Sequence, residues 1–176
     1  MERKDLAQKI YFTSHITGEF LLRSGKISNE YFDKYLFESD PNLLSEISSQ
    51  LIPLLPKGTE FLAGLEMGGI PLATAISLKN GMPALFVRKK AKEYGTRKLA
   101  EGKEFFGKNL CIIEDVVTTG GQIIESANQL RKLGAKVENV ICVIVREDAA
   151  FEKLQSAGLK LTPLFSMKEL KEAANE

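Results

Sequence analysis

The sequence is poor in the residues that bind zinc. Its 176 residues include two cysteines and one histidine, with no Cys-x-x-Cys pair. Cys111 and Cys142 each lie inside an apolar stretch, so we interpret them as small buried side chains of neighbouring strands. This composition argues against a zinc site. His15 has no evident partner along the chain, and we assign it a structural role.

The chain also lacks a long apolar run and an excess of charge of either sign. Residues 1–5 are charged and no long apolar stretch follows them. We therefore expect neither a signal peptide nor a membrane span, and a cytoplasmic protein. Lys and Arg total 24 against 23 Asp and Glu. Because broad nucleic-acid-binding surfaces are strongly basic, we expect no nucleic acid and no membrane among the partners.

No internal repeat, low-complexity tract or linker interrupts the chain, which predicts one domain covering residues 1–176. The first part has the least regular pattern. We predict an amphipathic helix ending near Gly18, then strands within residues 19–37 around a turn at residues 24–26.

From Asp40 onward, apolar strands alternate with helices. Asp40 and Pro41 are typical of a helix start, and Ser166 with Glu169 is typical of a capping box. Because the strands are apolar on both faces, the pattern predicts an α/β fold with a mostly parallel sheet flanked by helices. Ligands of such folds bind beyond the carboxyl ends of the strands. The predicted strands cover residues 61–65, 84–87, 109–113, 137–145 and 159–165, and the helices between them cover residues 70–78, 122–133 and 148–157.

The segment after the strand at residues 109–113 carries the strongest functional pattern. Small hydroxyl residues and glycines at a helix start leave backbone N–H groups free to converge on a phosphate. Two adjacent carboxylates repel a phosphate, but they suit ribose hydroxyls or a metal reached through water. An acidic helix N-terminus needs no ligand, although that explains one acid and not two. The segment is neither a Walker A loop nor a Gly-x-Gly-x-x-Gly motif, and it consists of Glu114, Asp115, Val116, Val117, Thr118, Thr119, Gly120 and Gly121.

Residues 112–121 resemble the 5-phosphoribosyl 1-pyrophosphate (PRPP) motif of the type I phosphoribosyltransferases at every position. The resemblance implies the fold of that family, with a small N-terminal hood formed mainly by about residues 1–40. It also implies that Glu114 and Asp115 bind the ribose hydroxyls of PRPP and that residues 118–121 bind its 5-phosphate.

Residues 20–28 read Phe-Leu-Leu-Arg-Ser-Gly-Lys-Ile-Ser and are soon followed by an aromatic pair. They resemble the N-terminal signature of the orotate phosphoribosyltransferases, which implies that Arg23 contacts PRPP. Tyr31 and Phe32, with Thr118, would then line the orotate pocket. Arg146 directly follows an apolar strand. Either the strand simply ends there or, as the resemblance implies, Arg146 binds orotate, whose carboxylate suits a guanidinium fork. Without the resemblance, these aromatics would be core residues beside a simple turn.

Two further segments bear on the leaving group. Residues 87–96 are rich in basic side chains and resemble the mobile catalytic loop of orotate phosphoribosyltransferases. This implies that Arg88, Lys89 and Lys92 contact PRPP across a homodimer, with Lys92 and Asp115 as catalytic residues. A solvated charged loop is the alternative. The second segment follows a buried strand, and it would offer backbone donors to pyrophosphate or simply form a tight turn; it comprises Glu66, Met67, Gly68 and Gly69.

The resemblance implies a reaction in which PRPP and orotate give orotidine 5′-monophosphate and pyrophosphate, in the biosynthesis of UMP. Mg²⁺ is the expected cofactor, bound mainly through PRPP and water without a direct protein ligand. Two alternatives stay open: a phosphoribosyltransferase for a purine base, and a non-catalytic regulator that binds PRPP.

Overall fold

A computed structural model of the chain describes residues 1–21, 25–91 and 98–175. Its helices are α1 (Arg3–Ser14), α2 (Lys34–Ser39), α3 (Pro41–Leu51), α4 (Gly69–Asn80), α5 (Gly121–Lys132), α6 (Ala149–Ser156) and α7 (Met167–Ala174). Its strands are β1 (His15–Leu21), β2 (Ile27–Phe32), β3 (Phe61–Leu65), β4 (Ala84–Val87), β5 (Ala100–Glu101), β6 (Asn109–Val117), β7 (Lys136–Val145) and β8 (Lys160–Ser166).

The central sheet has the strand order β5-β4-β3-β6-β7-β8. All neighbouring pairs are parallel except β4 and β5, which are antiparallel at one edge. Helices cover both faces, so the central strands are buried on both sides; every residue of β3 is buried. The predicted α/β fold with a mostly parallel sheet is confirmed.

Several predicted helix boundaries are also confirmed by their capping contacts. The Asp40 carboxylate accepts hydrogen bonds from the backbone N–H groups of Asn42 and Leu43, at 2.8 and 3.0 Å, at the start of α3. Gly81 ends α4 with a φ of 76°, a left-handed conformation that suits glycine. Ser166 and Glu169 form the capping box of α7.

The first forty residues differ from the prediction. Helix α1 ends at Ser14, so Ile16 lies in β1, which pairs with β2 as an antiparallel hairpin. Residues 34–37, predicted as strand, begin α2. The reason is a cap and a packing contact: Asp33 Oδ1 accepts from the backbone N–H of Tyr35 at 3.0 Å, and Phe37 is fully buried in the core.

Strand β6 extends four residues beyond its predicted end. Val116 and Val117 pair with Ile144 and Val145 of β7, which keeps the chain extended past the acidic pair. The two carboxylates therefore lie on a strand, and the turn begins only at Thr118. Among the helices of the described residues, none has both the length and the hydrophobicity needed to cross a membrane.

Candidate active site

The carboxyl ends of β6 and β7 bring the predicted PRPP segment next to Arg146. The backbone N–H of Arg146 donates to the carbonyl of Val117 at 2.8 Å. Val116 is half-buried against the hydrophobic cluster beneath α1, α3 and α4, and Val117 is buried on the opposite side. These valines anchor the segment in the sheet, so the acids before them and the threonines after them have fixed positions.

The turn at residues 118–121 has the geometry of an anion site. Thr118 and Thr119 are exposed, and no described side chain caps the start of α5. Gly120 has a φ of 72°, and a Cβ atom there would lie 3.0 Å from the side chain of Leu154. The first N–H groups of α5 are thus available to a phosphate. A Cβ at Gly121 would lie 3.6 Å from Lys153 Nζ, which places a positive charge beside the turn.

The two acids of the motif have different surroundings. Glu114 is half-buried, whereas Asp115 is completely buried. Asp115 Oδ2 lies 2.5 Å from Lys34 Nζ of α2. Glu38, one turn further along α2, is also buried and faces the same carboxylate. Sequence reasoning missed both residues of α2, although their i, i+4 spacing places them on one face of a helix.

Gly68 lies directly against the carboxyl groups of Asp115 and Glu38. A Cβ atom at this position would lie 1.6 Å from Asp115 Oδ2 and 2.8 Å from Glu38 Oε1. Any other residue would therefore displace the carboxyl groups. The absence of a side chain at position 68 is what allows Asp115 and Glu38 to meet.

The charges of the cluster depend on one another. Burial raises the pKa of Glu38 to about 9, and its hydrogen bond with Asp115 adds to the effect. Burial and the neighbouring Asp115 also raise the pKa of Glu114 well above its usual value. Burial opposes ionisation of Asp115, but hydrogen bonds with Glu114, Glu38 and Lys34 outweigh it and lower its pKa. Burial likewise disfavours the charged form of Lys34, but its contact with Asp115 gives a net rise in pKa.

The segment predicted to bind pyrophosphate joins β3 to α4. A Cβ atom at Gly69 would lie 2.2 Å from the carbonyl oxygen of Ile113, so the start of α4 lies directly against β6. This is the tight turn with close packing that the sequence also allowed. The Glu66 carboxylate accepts from the backbone N–H of Lys89 at 2.6 Å, whereas Met67 is exposed. Glu66 therefore ties this turn to the base of the basic segment.

The basic residues predicted for PRPP are only partly described. The Arg88 side chain lies 3.6 Å from the carboxylate of Glu101 on β5, and Lys89 is exposed. Arg23 and Lys92 lie outside the described residues. Their predicted contacts stay predictions.

Tyr31, Phe32 and Arg146 line one cavity of about 360 Å³ between the hairpin and the carboxyl end of β7. Arg146 lies over the Phe32 ring, with its guanidinium carbon 5.8 Å from the ring centroid. Thr118 does not line this cavity. The structure thus brings together three of the four residues predicted for orotate.

Four further acidic or basic side chains line the same cavity, namely His15, Glu30, Glu147 and Lys171. His15 Nε2 lies 2.8 Å from the Glu30 carboxylate, and its ring stacks on Tyr11 with centroids 4.9 Å apart. The structural role predicted for His15 fits these contacts. Its position in the cavity wall follows from the register of the β1–β2 hairpin, which no local pattern of the sequence specifies.

Comparison with known proteins gives the same family. The family model of the phosphoribosyl transferase domain matches residues 40–173. An orotate phosphoribosyltransferase of Nocardioides sp. is 50% identical over 171 residues, which cover 97% of this chain and 95% of that protein.

Solved structures agree with the sequence relatives. The orotate phosphoribosyltransferase of Mycobacterium tuberculosis H37Rv, in complex with Fe(III) dicitrate, superposes with a TM-score of 0.85 at 29% identity, over 96% of this chain and 98% of that one. A structure of the same enzyme in complex with PRPP gives a TM-score of 0.81 at 26% identity, again over 96% and 98%. The chain therefore belongs to the orotate phosphoribosyltransferases, within the phosphoribosyl transferase domain family.

Proposed function

We propose that the protein transfers the phosphoribosyl group of PRPP to orotate, giving orotidine 5′-monophosphate and pyrophosphate on the way to UMP. The proposal rests on the position of the two acids of β6 and of the phosphate turn, residues 118–121, which follows them. Both lie at the carboxyl end of β6, whose neighbour β7 leads into the cavity lined by Tyr31, Phe32 and Arg146. Aromatic faces suit a planar base, and a guanidinium suits its carboxylate. A purine base has no carboxylate for Arg146 to bind.

The donor half of the reaction uses β6 and the start of α5. The backbone N–H groups and hydroxyls of residues 118–121 bind the 5-phosphate, and Glu114 and Asp115 bind the ribose hydroxyls. The Lys34 ammonium lies 2.5 Å from Asp115. Ribose hydroxyls approaching Asp115 therefore compete with Lys34, whose side chain is 31% exposed and has room to move.

Negative charge develops on the pyrophosphate leaving group as its bond to the ribose breaks. Breaking the C1–O bond leaves positive charge on the ribose and negative charge on pyrophosphate. Arg23, Arg88, Lys89 and Lys92 stabilise the pyrophosphate charge, with Lys92 and Asp115 as catalytic residues. The backbone of residues 66–69 adds donors. Orotate is already an anion at neutral pH, so no strong general base is needed.

Mg²⁺ is the proposed cofactor. Among the described residues, no three His, Cys, Asp or Glu side chains form a group that could hold a metal. The direct ligands of the ion would be pyrophosphate oxygens and water, with Glu114 and Asp115 as the carboxylates that it would reach through water. When bound, the ion neutralises charge on the leaving group.

One experiment separates this function from its two alternatives. The protein is mixed with PRPP and Mg²⁺ and with orotate, uracil, adenine or hypoxanthine, and pyrophosphate release is measured. We expect release with orotate only. Release with a purine only would identify a purine phosphoribosyltransferase, and PRPP binding without release for any base would identify a regulator. The Asp115→Asn variant is the control for release at this site.

We also propose a cytoplasmic homodimer in which the basic loop of one subunit completes the active site of the other. The exposed apolar side chains of Leu21 and Ile27, paired at the tip of the hairpin, support a covered surface there. Mixing inactive Lys92→Ala and Asp115→Asn variants tests the shared site. Random exchange of subunits would restore about a quarter of the normal activity in a two-fold symmetric dimer. No recovery after demonstrated subunit exchange would place both residues in one subunit's site.

A further inference from the structure

Glu38 is a buried acid that the proposed reaction does not yet use. It lies near the end of α2 and is 6% exposed. Its Oε1 atom is buried and, with both carboxyls ionised, has no hydrogen-bond donor among the described residues. A Cβ atom built on Gly68 would lie 2.8 Å from this oxygen and 1.6 Å from Asp115 Oδ2. The two carboxyl groups are therefore neighbours in a closed space.

Two buried carboxyl groups this close do not both ionise, because like charges repel strongly away from water. One proton between them turns the repulsion into a hydrogen bond. Lys34 decides where the proton lies, since its ammonium contacts Asp115 at 2.5 Å and favours the ionised form of that acid. Glu38 therefore carries the proton and Asp115 the charge.

We propose that Glu38 is a positioning residue, whose protonated carboxyl donates a hydrogen bond to Asp115 and holds this carboxylate in place for the ribose of PRPP. The inference rests on the proposed role of Asp115 in PRPP binding. When the ribose hydroxyls replace Lys34 as partners of Asp115, the hydrogen bond from Glu38 to Asp115 remains. Asp115 thus keeps its orientation without a permanent cation beside it.

The proton on Glu38 depends on the groups around it. Asp115, with Glu114 beside it, faces Glu38 from β6, and Lys34 and Asp33 belong to α2 and its N-cap. Lys34 lowers the pKa of Glu38, whereas burial and the acids raise it. Helices α1 and α3 contact α2, and the residues that they bury in the adjoining hydrophobic cluster are uncharged, among them Leu6, Ile10, Leu43 and Ile47. Gly68 contributes no side chain.

This arrangement makes PRPP binding sensitive to alkaline pH. Loss of the proton places a second negative charge next to Asp115 and removes its hydrogen bond. Because the pKa of Glu38 is about 9, the affinity for PRPP falls as the pH rises from 8 to 10. The Glu38→Gln variant keeps an N–H donor and cannot ionise, so its affinity is unaffected by this titration.

The test compares Glu38→Gln, Glu38→Leu and the exposed control Glu152→Gln. Calorimetry measures PRPP binding between pH 7 and 10, and steady-state kinetics give kcat and the KM for PRPP. We expect the natural protein and the control to lose about tenfold in affinity from pH 8 to 10. We expect Glu38→Gln to lose less than twofold, and Glu38→Leu to bind about tenfold more weakly at every pH with a smaller change in kcat.

Two results would overturn the inference. One is a loss of PRPP affinity at alkaline pH that is as large in Glu38→Gln as in the natural protein. The other is unchanged PRPP affinity in a folded Glu38→Leu variant, with folding checked by circular dichroism. The Asp115→Asn variant separates failure of this inference from failure of the proposed function. Unchanged PRPP affinity in Asp115→Asn would rule out the ribose role of Asp115 itself. Weakened PRPP affinity in Asp115→Asn, with unchanged affinity in the Glu38 variants, would rule out only the role of Glu38.

Discussion

The two halves of the proposed active site, a donor side at Asp115 and an acceptor side at Arg146, are built in different ways. On the donor side, Asp115 and Glu38 are buried, and Gly68 leaves no space around them. On the acceptor side, Tyr31 and Arg146 are exposed at the rim of a cavity. The donor side is thus a packed cluster, whereas the acceptor side is an open wall shared by the hairpin and the sheet.

This difference matches what each half is proposed to recognise. Ribose hydroxyls need carboxyl oxygens at fixed positions, and burial supplies that order. A planar base enters and leaves in every turnover, and the exposed Tyr31 ring and Arg146 guanidinium are open to it. We therefore expect substitutions on the donor side to act through packing, and those on the acceptor side to act through a single lost contact.

The largest effect is expected for Gly68→Ala. The added Cβ would collide with the Asp115 carboxyl at 1.6 Å, so Asp115 has to move out of its place. We expect kcat/KM for PRPP to fall about 100-fold or more, since small misplacements of reacting groups carry penalties of that order. Steady-state kinetics measure this fall, and the control is Lys79→Ala, an exposed position on helix α4, which begins directly after Gly68. A Gly68→Ala enzyme with normal kinetics would mean that the donor side is not tightly packed.

The next effect is expected for Arg146→Ala on the acceptor side. Loss of a charge-assisted contact to a carboxylate has a cost of about 1.5–3 kcal/mol, or roughly tenfold to 100-fold in the KM for orotate. The KM for PRPP should change less than twofold, because Arg146 faces the cavity and not the acid cluster. Equal losses for both substrates would break the division into two halves. Arg146→Lys should recover only part of the loss, since it lacks the guanidinium fork.

A smaller effect is expected on stability and its dependence on pH. The pKa of Glu38 is raised from 4.5 to about 9 in the folded protein, so folding favours its protonated form. This contribution to stability is complete below pH 4.5 and is lost as the pH rises through about 9. Glu38→Gln should therefore gain stability relative to the natural protein between pH 5 and pH 9. Urea unfolding at both pH values measures the gain, and an equal difference at both would contradict it.

The smallest effect is expected for Lys153→Ala. Its ammonium lies beside the first turn of α5, but the side chain is exposed and water screens its charge. We expect the KM for PRPP to rise about twofold to fivefold at low salt and to approach the normal value at high salt. Lys160 is exposed at the opposite end of the sheet, and Lys160→Ala should change the KM for PRPP neither at low salt nor at high salt. A salt-independent effect would argue against a purely electrostatic role.

Most strands and helices from Asp40 onward were predictable from local pattern. Strand β3 begins and ends where the apolar run does, and the caps at Asp40 and Gly81 act through residues near in sequence. Such signals are local, so a sequence displays them directly. The end of β6 was not predictable, because Val116 and Val117 stay extended through pairing with a strand about thirty residues further along the chain.

Helix α2 shows why part of the site escaped prediction. It has six residues, too few for stable helix formation on its own, and it forms because Asp33 caps it and Phe37 is buried. Only as a helix does this segment present Lys34 and Glu38 to Asp115. Arg23 and Lys92 fall outside the described residues, and the roles of all the predicted site residues stay predictions.

The sequence by itself determined the alternation of strands and helices, the motif at residues 114–121 and, through it, the donor substrate. Those features depend on residue type and short-range order, which are properties of the chain itself. The tertiary structure decided how the two acids differ: Glu114 is half-buried, whereas Asp115 lies between Lys34, Glu38 and the bare backbone of Gly68. Burial and charge pairing arise only when distant segments pack together, and they set which of these carboxyl groups carries the charge.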